Sequence, residues 1–190
     1  EIRASERMSY QKITDIYATS LDYSPNTLED EKFFATVQNK LHYATNKNTA
    51  SETIYDRADA EKEFMGLTTF RGDIPAKSDV IVAKNYLTED ELFRLNRLVS
   101  AFFDLAEIKA REQTKMYMKD WIAELDRFSG MYGKGILEGA GKISHEKAIE
   151  KAEKEYNQYQ VKTLSPVEKD YLDTIRTLQK KVEKKTKGKN

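Results

Sequence analysis

Apolar residues recur at intervals of three and four along most of the chain, the spacing that places them on one face of an α-helix. The longest such stretch follows Thr88, with apolar positions at Leu92, Leu95, Val99, Phe102 and Ala106. Leu98 and Leu105 broaden this stripe, so we expect the helix to be central. A Phe-rich stretch repeats the pattern at Phe33, Phe34, Val37, Leu41 and Ala44. A shorter helix is predicted across Lys119–Phe128.

Five helix starts, including those of the two stretches above, have Ser or Thr at a predicted N-cap position: Thr27, Thr49, Thr88, Ser144 and Ser165. In three of them a Glu follows three residues later and completes a capping box, and after Thr27 the equivalent position is Asp30. With a helix before residue 21, these signals predict a mainly α fold, a helical bundle of about six to seven helices.

Only the segment FMGLTTFRGDIPAKSDVIVA, residues 64–83, resists a helical interpretation. Gly66, Gly72 and Pro75 interrupt it, and its last part is a β-branched run, Val80–Val82. The pattern predicts a small irregular or β-hairpin arm around residues 64–83 that packs on the helices.

The helical pattern divides the chain into three parts. We expect residues 1–21 to be a connecting helix from an upstream domain, 22–162 a helical core domain, and 163–190 a C-terminal helix with a basic tail. The apolar positions of the last helix form a narrow seam: Val167, Tyr171, Leu172, Ile175 and Leu178. Such a seam is typical of a helix that binds a partner helix or a second copy of itself, and docking on its own domain is the alternative.

The composition narrows the classes of function. The 190 residues include 32 basic and 32 acidic ones, so no overall positive field attracts DNA, although the basic tail leaves direct DNA binding open as an alternative. The absence of cysteine excludes disulfides, thiol nucleophiles and cysteine-type zinc sites. No apolar run approaches the roughly 18 residues of a membrane span, so we expect a cytoplasmic protein without a membrane partner.

No catalytic or metal-binding motif is recognisable. The two histidines, His42 and His145, are far apart in the sequence, and neither belongs to an HExxH motif. The glycine-rich region after residue 129 lacks the order of a phosphate-binding loop. We therefore expect no metal and no cofactor, and we identify no catalytic residue.

Charged and amide side chains gather beside predicted core positions around the arm, and they form the candidate site: Arg57, Asp59, Lys84, Asn85, Lys119 and Asp120. A buried polar group without a partner costs about 1–3 kcal/mol, so these groups need partners. Either they form a network that pins the arm onto the helices, or they line a pocket beneath it. In the second case Arg57 and Lys84 face an anionic ligand.

Several long blocks, in order, carry a family resemblance: IRASERMSYQKITDIYATSLDY, TASETIYDRADAE, SDVIVAKNYLTEDELFRLNRLVS and GKISHEKAIEKAEKEY. They resemble the RhuM family of bacterial virulence-associated proteins over residues 2–156, and the last helix lies outside the shared pattern. The resemblance implies an upstream module similar to DNA-binding or phage-antirepressor domains. It supplies no catalytic residues.

Two functional hypotheses follow. The first is a regulatory or interaction domain, an effector or oligomerisation unit attached to a DNA-binding-like module. It associates with itself or with a protein partner through the C-terminal helix, and DNA is contacted by the upstream module. The alternative is an enzyme or a binder of small anionic ligands, with its pocket under the 64–83 arm.

Overall fold

The computed structural model describes residue 15 and residues 20–23, 28–163 and 174–175. Five α-helices lie within these ranges: α1 Leu28–Asn46, α2 Ala50–Arg57, α3 Glu89–Arg111, α4 Met118–Tyr132 and α5 His145–Thr163. The mainly helical fold is therefore confirmed. The count of six to seven helices is not confirmed, because the predicted first and last helices fall almost entirely outside the described residues.

The predicted helix starts of α2 and α3 are confirmed by complete capping boxes. Thr49 accepts a hydrogen bond from the Glu52 amide at 3.2 Å, and the Glu52 carboxylate accepts from the Thr49 amide at 2.8 Å. Thr88 and Glu91 form the same pair of bonds at the start of α3. The starts predicted at Thr27 and Ser165 lie outside the described residues.

A first hydrophobic cluster joins α1, α3 and α4. Its buried helical members lie on the stripes predicted for α1 and α3 or within the predicted helix Lys119–Phe128: Phe33, Val37, Leu41, Ala44, Leu95, Leu98, Phe102, Ala106, Trp121 and Leu125. The rings of Phe102 and Trp121 meet edge to face with their centroids 6.2 Å apart. Full burial of each large apolar side chain contributes about 1.5–3 kcal/mol, so this cluster is a major source of stability.

A second cluster joins α2, α5 and the arm. Its buried members are Ile54, Ala58, Met65, Leu67, Val80, Ala83, Tyr86, Ala148, Ala152 and Tyr156. Ala148 and Ala152 are four residues apart on α5, so their small side chains present one flat face against which α2 packs. The arm is therefore part of the core on its inner side.

The arm is irregular, and the β-hairpin alternative is not confirmed, because residues 64–83 contain no strand. Two short 3₁₀ turns, Glu63–Gly66 and Ala83–Tyr86, bound it. Within the β-branched run Val80 is completely buried, whereas Ile81 is 39 % exposed. The hydroxyl of Tyr86 donates to the carbonyl of Val80 at 2.8 Å, so a side chain occupies a backbone acceptor that a strand partner would otherwise use.

The first 3₁₀ turn brings the arm against the end of α2. Phe64, Met65 and Gly66 have φ values of 48°, 61° and 79°, so three consecutive residues adopt the left-handed region. A Cβ atom on Gly66 would lie 2.6 Å from the carbonyl oxygen of Arg57, so only glycine fits there. Burial of Met65, which has no exposed surface, offsets part of the cost of this conformation.

Helix α4 is longer than predicted. The sequence placed its end at Phe128, because glycines follow, but the helix continues through Gly130 to Tyr132. A Cβ atom on Gly130 would lie 3.0 Å from the side chain of Ile136, so the glycine lets the following loop fold back closely on the helix. None of the helices in the described part of the chain is long and apolar enough to cross a bilayer.

Candidate functional site

A cavity of about 550 Å³ lies where the two hydrophobic clusters meet. Leu41 and Leu95 of the first cluster and Ile54 and Ala83 of the second contribute to its wall. Helices α1, α2 and α3, the end of the arm and the first residue of α5 all contribute to the lining. Both buried and exposed residues belong to this lining, so the cavity opens to solvent.

The polar part of the cavity wall contains basic, amide and hydroxyl groups. Lys84 lies at the end of the arm, His42 on α1, Asn96 on α3, and His145 at the first position of α5. None of the described residues that line the cavity is Asp or Glu. The wall therefore favours a neutral or anionic occupant over a cationic one.

His42 is the most deeply placed polar residue of this wall. It is 4 % exposed, and its Nδ1 is buried without a hydrogen-bond partner in the described part of the chain. The pKa of His42 is lowered to about 4, mainly by burial and in addition by the positive charges of Lys84 and Arg57, against a smaller opposite effect of Glu91. The imidazole is therefore neutral at neutral pH, in a region of positive potential.

Arg57 ends α2 and connects it to α3. Its Nη1 donates to the carbonyl of Tyr86 at 2.7 Å and to Glu91 Oε2 at 2.6 Å, and its Nη2 donates to Glu91 Oε1 at 2.7 Å. This bidentate pair lowers the pKa of the Glu91 carboxyl, which also caps α3 through the Thr88 amide. The Glu91 carboxylate thus fixes the start of α3 and also orients the Arg57 guanidinium, which holds the second 3₁₀ turn.

Asn85 is buried and holds the arm together. Its Nδ2 donates to the carbonyl of Asp79 at 2.9 Å, and its own carbonyl accepts from the Thr68 amide at 2.7 Å. The hydroxyl of Thr68 also donates to the carbonyl of Leu87 at 2.6 Å. The two ends of the arm are therefore hydrogen-bonded to each other. These contacts fit the hypothesis in which Asn85 anchors the arm.

Asp59, Lys119 and Asp120 lie outside the cavity lining. Asp59 accepts from the Glu61 amide at 3.0 Å in the turn after α2. Asp120 accepts from the Tyr117 amide at 2.9 Å and caps the start of α4, where the Lys119 ammonium lies 5.7 Å from the Tyr117 ring. Of the six predicted site residues, only Lys84 lines the cavity. The structure does not bring the six together in one pocket.

The sequence analysis did not place the two histidines in the candidate site, and it did not identify the partner of Arg57. Both histidines line the cavity, although no spacing in the sequence relates them. The position of His42 next to Leu41, on the apolar stripe of α1, is a signal of burial. The ion-pair partner of Arg57 is not one of the six candidate residues; it is Glu91, which also completes the capping box of α3.

Metal binding has no geometric support in the described ranges, where no group of three or more His, Asp or Glu side chains is arranged to hold an ion.

Comparison with known proteins gave one finding. The model of the family described as "Virulence protein RhuM family" matches residues 1–167. No curated protein and no solved structure matches the chain. Because the family match spans most of its length, the chain belongs to the RhuM family.

Proposed function

We propose that this RhuM-family chain is a regulatory and interaction domain, an effector or oligomerisation unit, which acts in the cytoplasm on an attached DNA-binding-like module. The observation that carries the proposal is how the predicted site residues are used. Arg57, Asn85 and Asp120 donate to or accept from backbone groups and the Glu91 carboxylate. Side chains engaged in this way stabilise turns and helix starts, which supports a non-catalytic role.

The balanced charge supports the assignment of DNA contact to the attached module. The chain has 32 basic and 32 acidic residues. Affinity for duplex DNA depends on an excess of Lys and Arg along the contact surface, because these residues displace condensed counterions from the phosphates. In this proposal residues 22–162 form the core domain, residues 1–21 connect it to the module, and residues 163–190 carry the association helix.

Exposed apolar side chains favour contact with another protein. Met131 and Tyr132 at the end of α4 and Ile136 in the loop that follows are all exposed. Several such side chains within residues 131–136 exceed the scattered single ones of an ordinary surface.

We propose that the narrow seam of the C-terminal helix supplies the main contact, with a second copy or with a protein partner.

Light scattering after size exclusion tests this proposal. We expect the full chain to associate, and we expect a chain that ends at Thr163 and a full chain with Leu172→Asp to be monomeric. Far-UV circular dichroism of each variant checks that the core remains helical. A monomeric full chain that retains no partner contradicts the proposal. Equal association of all three proteins contradicts the assignment to the C-terminal helix.

A further inference from the structure

We propose that the cavity between α1, α2, α3 and the end of the arm binds a small organic anion, with an apolar body and one carboxylate directed toward Lys84. The inference goes beyond the association described above. It depends only on the cavity and its wall, so it stands or falls separately from the oligomeric state.

The size and the apolar part of the wall fit a small organic molecule. Ligand sites of soluble proteins measure about 300–1,000 Å³ and are mostly apolar, and this cavity measures about 550 Å³. Side chains of three elements, Phe34, Ile54 and Val99, line it together with Val82 of the arm. A bare inorganic ion would leave these apolar surfaces in contact with water, so the wall favours a ligand with an apolar body.

The charges select an anion. Lys84 brings a cationic side chain to the wall, which contains no carboxylate among its described residues. The positive charges of Lys84 and Arg57 each lower the pKa of His42 by more than the negative charge of Glu91 raises it. The nearby charges therefore produce a net positive potential at His42. In a site partly shielded from water such a potential acts on an anion more strongly than it does on an open surface.

Two further features belong to the same wall. His145 lines the cavity as the first residue of α5, a helix of 19 residues whose N-terminal end carries partial positive charge. The Nδ1 of His42, in the wall, is buried without a partner within the described ranges. Because an unpaired buried polar atom is unfavourable, His42 marks a part of the wall whose hydrogen bonding is incomplete.

The test compares two probes with the same apolar body, 4-phenylbutyrate and its uncharged amide, 4-phenylbutyramide. Isothermal titration of the full chain is expected to give one saturable site, with about tenfold tighter binding of the carboxylate. In Lys84→Met the amide still binds and the preference for the carboxylate is lost. Lys119→Met is the matched control, because Lys119 lies at the start of α4 outside the cavity wall, and it keeps the preference.

A second variant tests the location of the ligand site without changing the charge of Lys84. Ala35 is exposed on α1 and lines the cavity, so Ala35→Trp fills the space from a position that tolerates a large side chain. We expect this variant to lose binding of both probes while its circular dichroism is unchanged. Absence of saturable carboxylate binding to the natural sequence overturns the proposal. Undiminished binding by Ala35→Trp, or an unchanged preference in Lys84→Met, also overturns it.

Discussion

Replacing Arg57 by methionine removes the guanidinium that joins α2, the second 3₁₀ turn and α3, while it keeps most of the unbranched side chain. Three hydrogen bonds are lost, two of them to Glu91, and the carbonyl of Tyr86 loses this donor. The side chains of Arg57 and Glu91 are only 26 % and 15 % exposed. Their interaction is therefore screened by water less than that of a surface pair.

The expected loss in the free energy of unfolding is about 2–4 kcal/mol. Breaking a fully buried ion pair by removing one partner costs about 3–5 kcal/mol, and the partial exposure of this pair reduces that figure. A double-mutant cycle with Glu91→Gln is expected to give a coupling of about 1–3 kcal/mol, because the two side chains contact each other directly.

Urea unfolding followed by the fluorescence of Trp121 measures these values. Trp121 is the single tryptophan and is buried in the first hydrophobic cluster. The matched control is Arg111→Met, which breaks an ion pair whose side chains are 80 % and 66 % exposed, and it is expected to cost less than about 1 kcal/mol. Equal losses in the two variants, or an additive cycle, refute the structural role assigned to Arg57.

Three more changes have defined outcomes. Folded His42 has a pKa of about 4 and unfolded histidine one near 6.5, so as the pH falls the unfolded state binds the proton first and stability decreases across that window by roughly 3 kcal/mol. His42→Gln should flatten this decrease in urea unfolding, and equal slopes in both proteins contradict it. Asn85→Leu removes the bond to the Asp79 carbonyl and should speed tryptic cleavage at the exposed Arg71 in the arm, whereas an unchanged rate contradicts the anchoring role. Gly66→Ala forces a contact of 2.6 Å with a backbone oxygen of α2, so its melting temperature should fall further than that of Gly72→Ala, which has a similar φ and open space. Equal melting temperatures would mean that the close approach has no energetic consequence.

The elements that the sequence predicted correctly depend on local interactions. The capping boxes of Thr49 and Thr88 need only residues three positions apart, and the stripes of α1 and α3 need only the period of a helix. These features depend only on residues that are close together in the sequence, so they can be recognised without knowledge of the tertiary packing.

The elements that the sequence predicted poorly depend on distant contacts. The β-branched run in the arm forms a turn, because Val80 packs in the second cluster with residues of α5 and pairs with no strand. Glu91 was identified as a capping residue, but its pairing with Arg57 joins residues 34 positions apart. The cavity requires several elements to meet, so no local pattern relates His42 to His145.

A ¹⁵N-resolved NMR titration of the full chain with 4-phenylbutyrate tests most directly whether the cavity receives a ligand while Asp59, Lys119 and Asp120 take no part in binding. The expected result is a set of saturable shifts at cavity residues of separate elements, such as Gln38, Asn96 and Val99, with Asp59, Lys119 and Asp120 unchanged. Shifts centred on the start of α4, or none at saturating concentration, would contradict it.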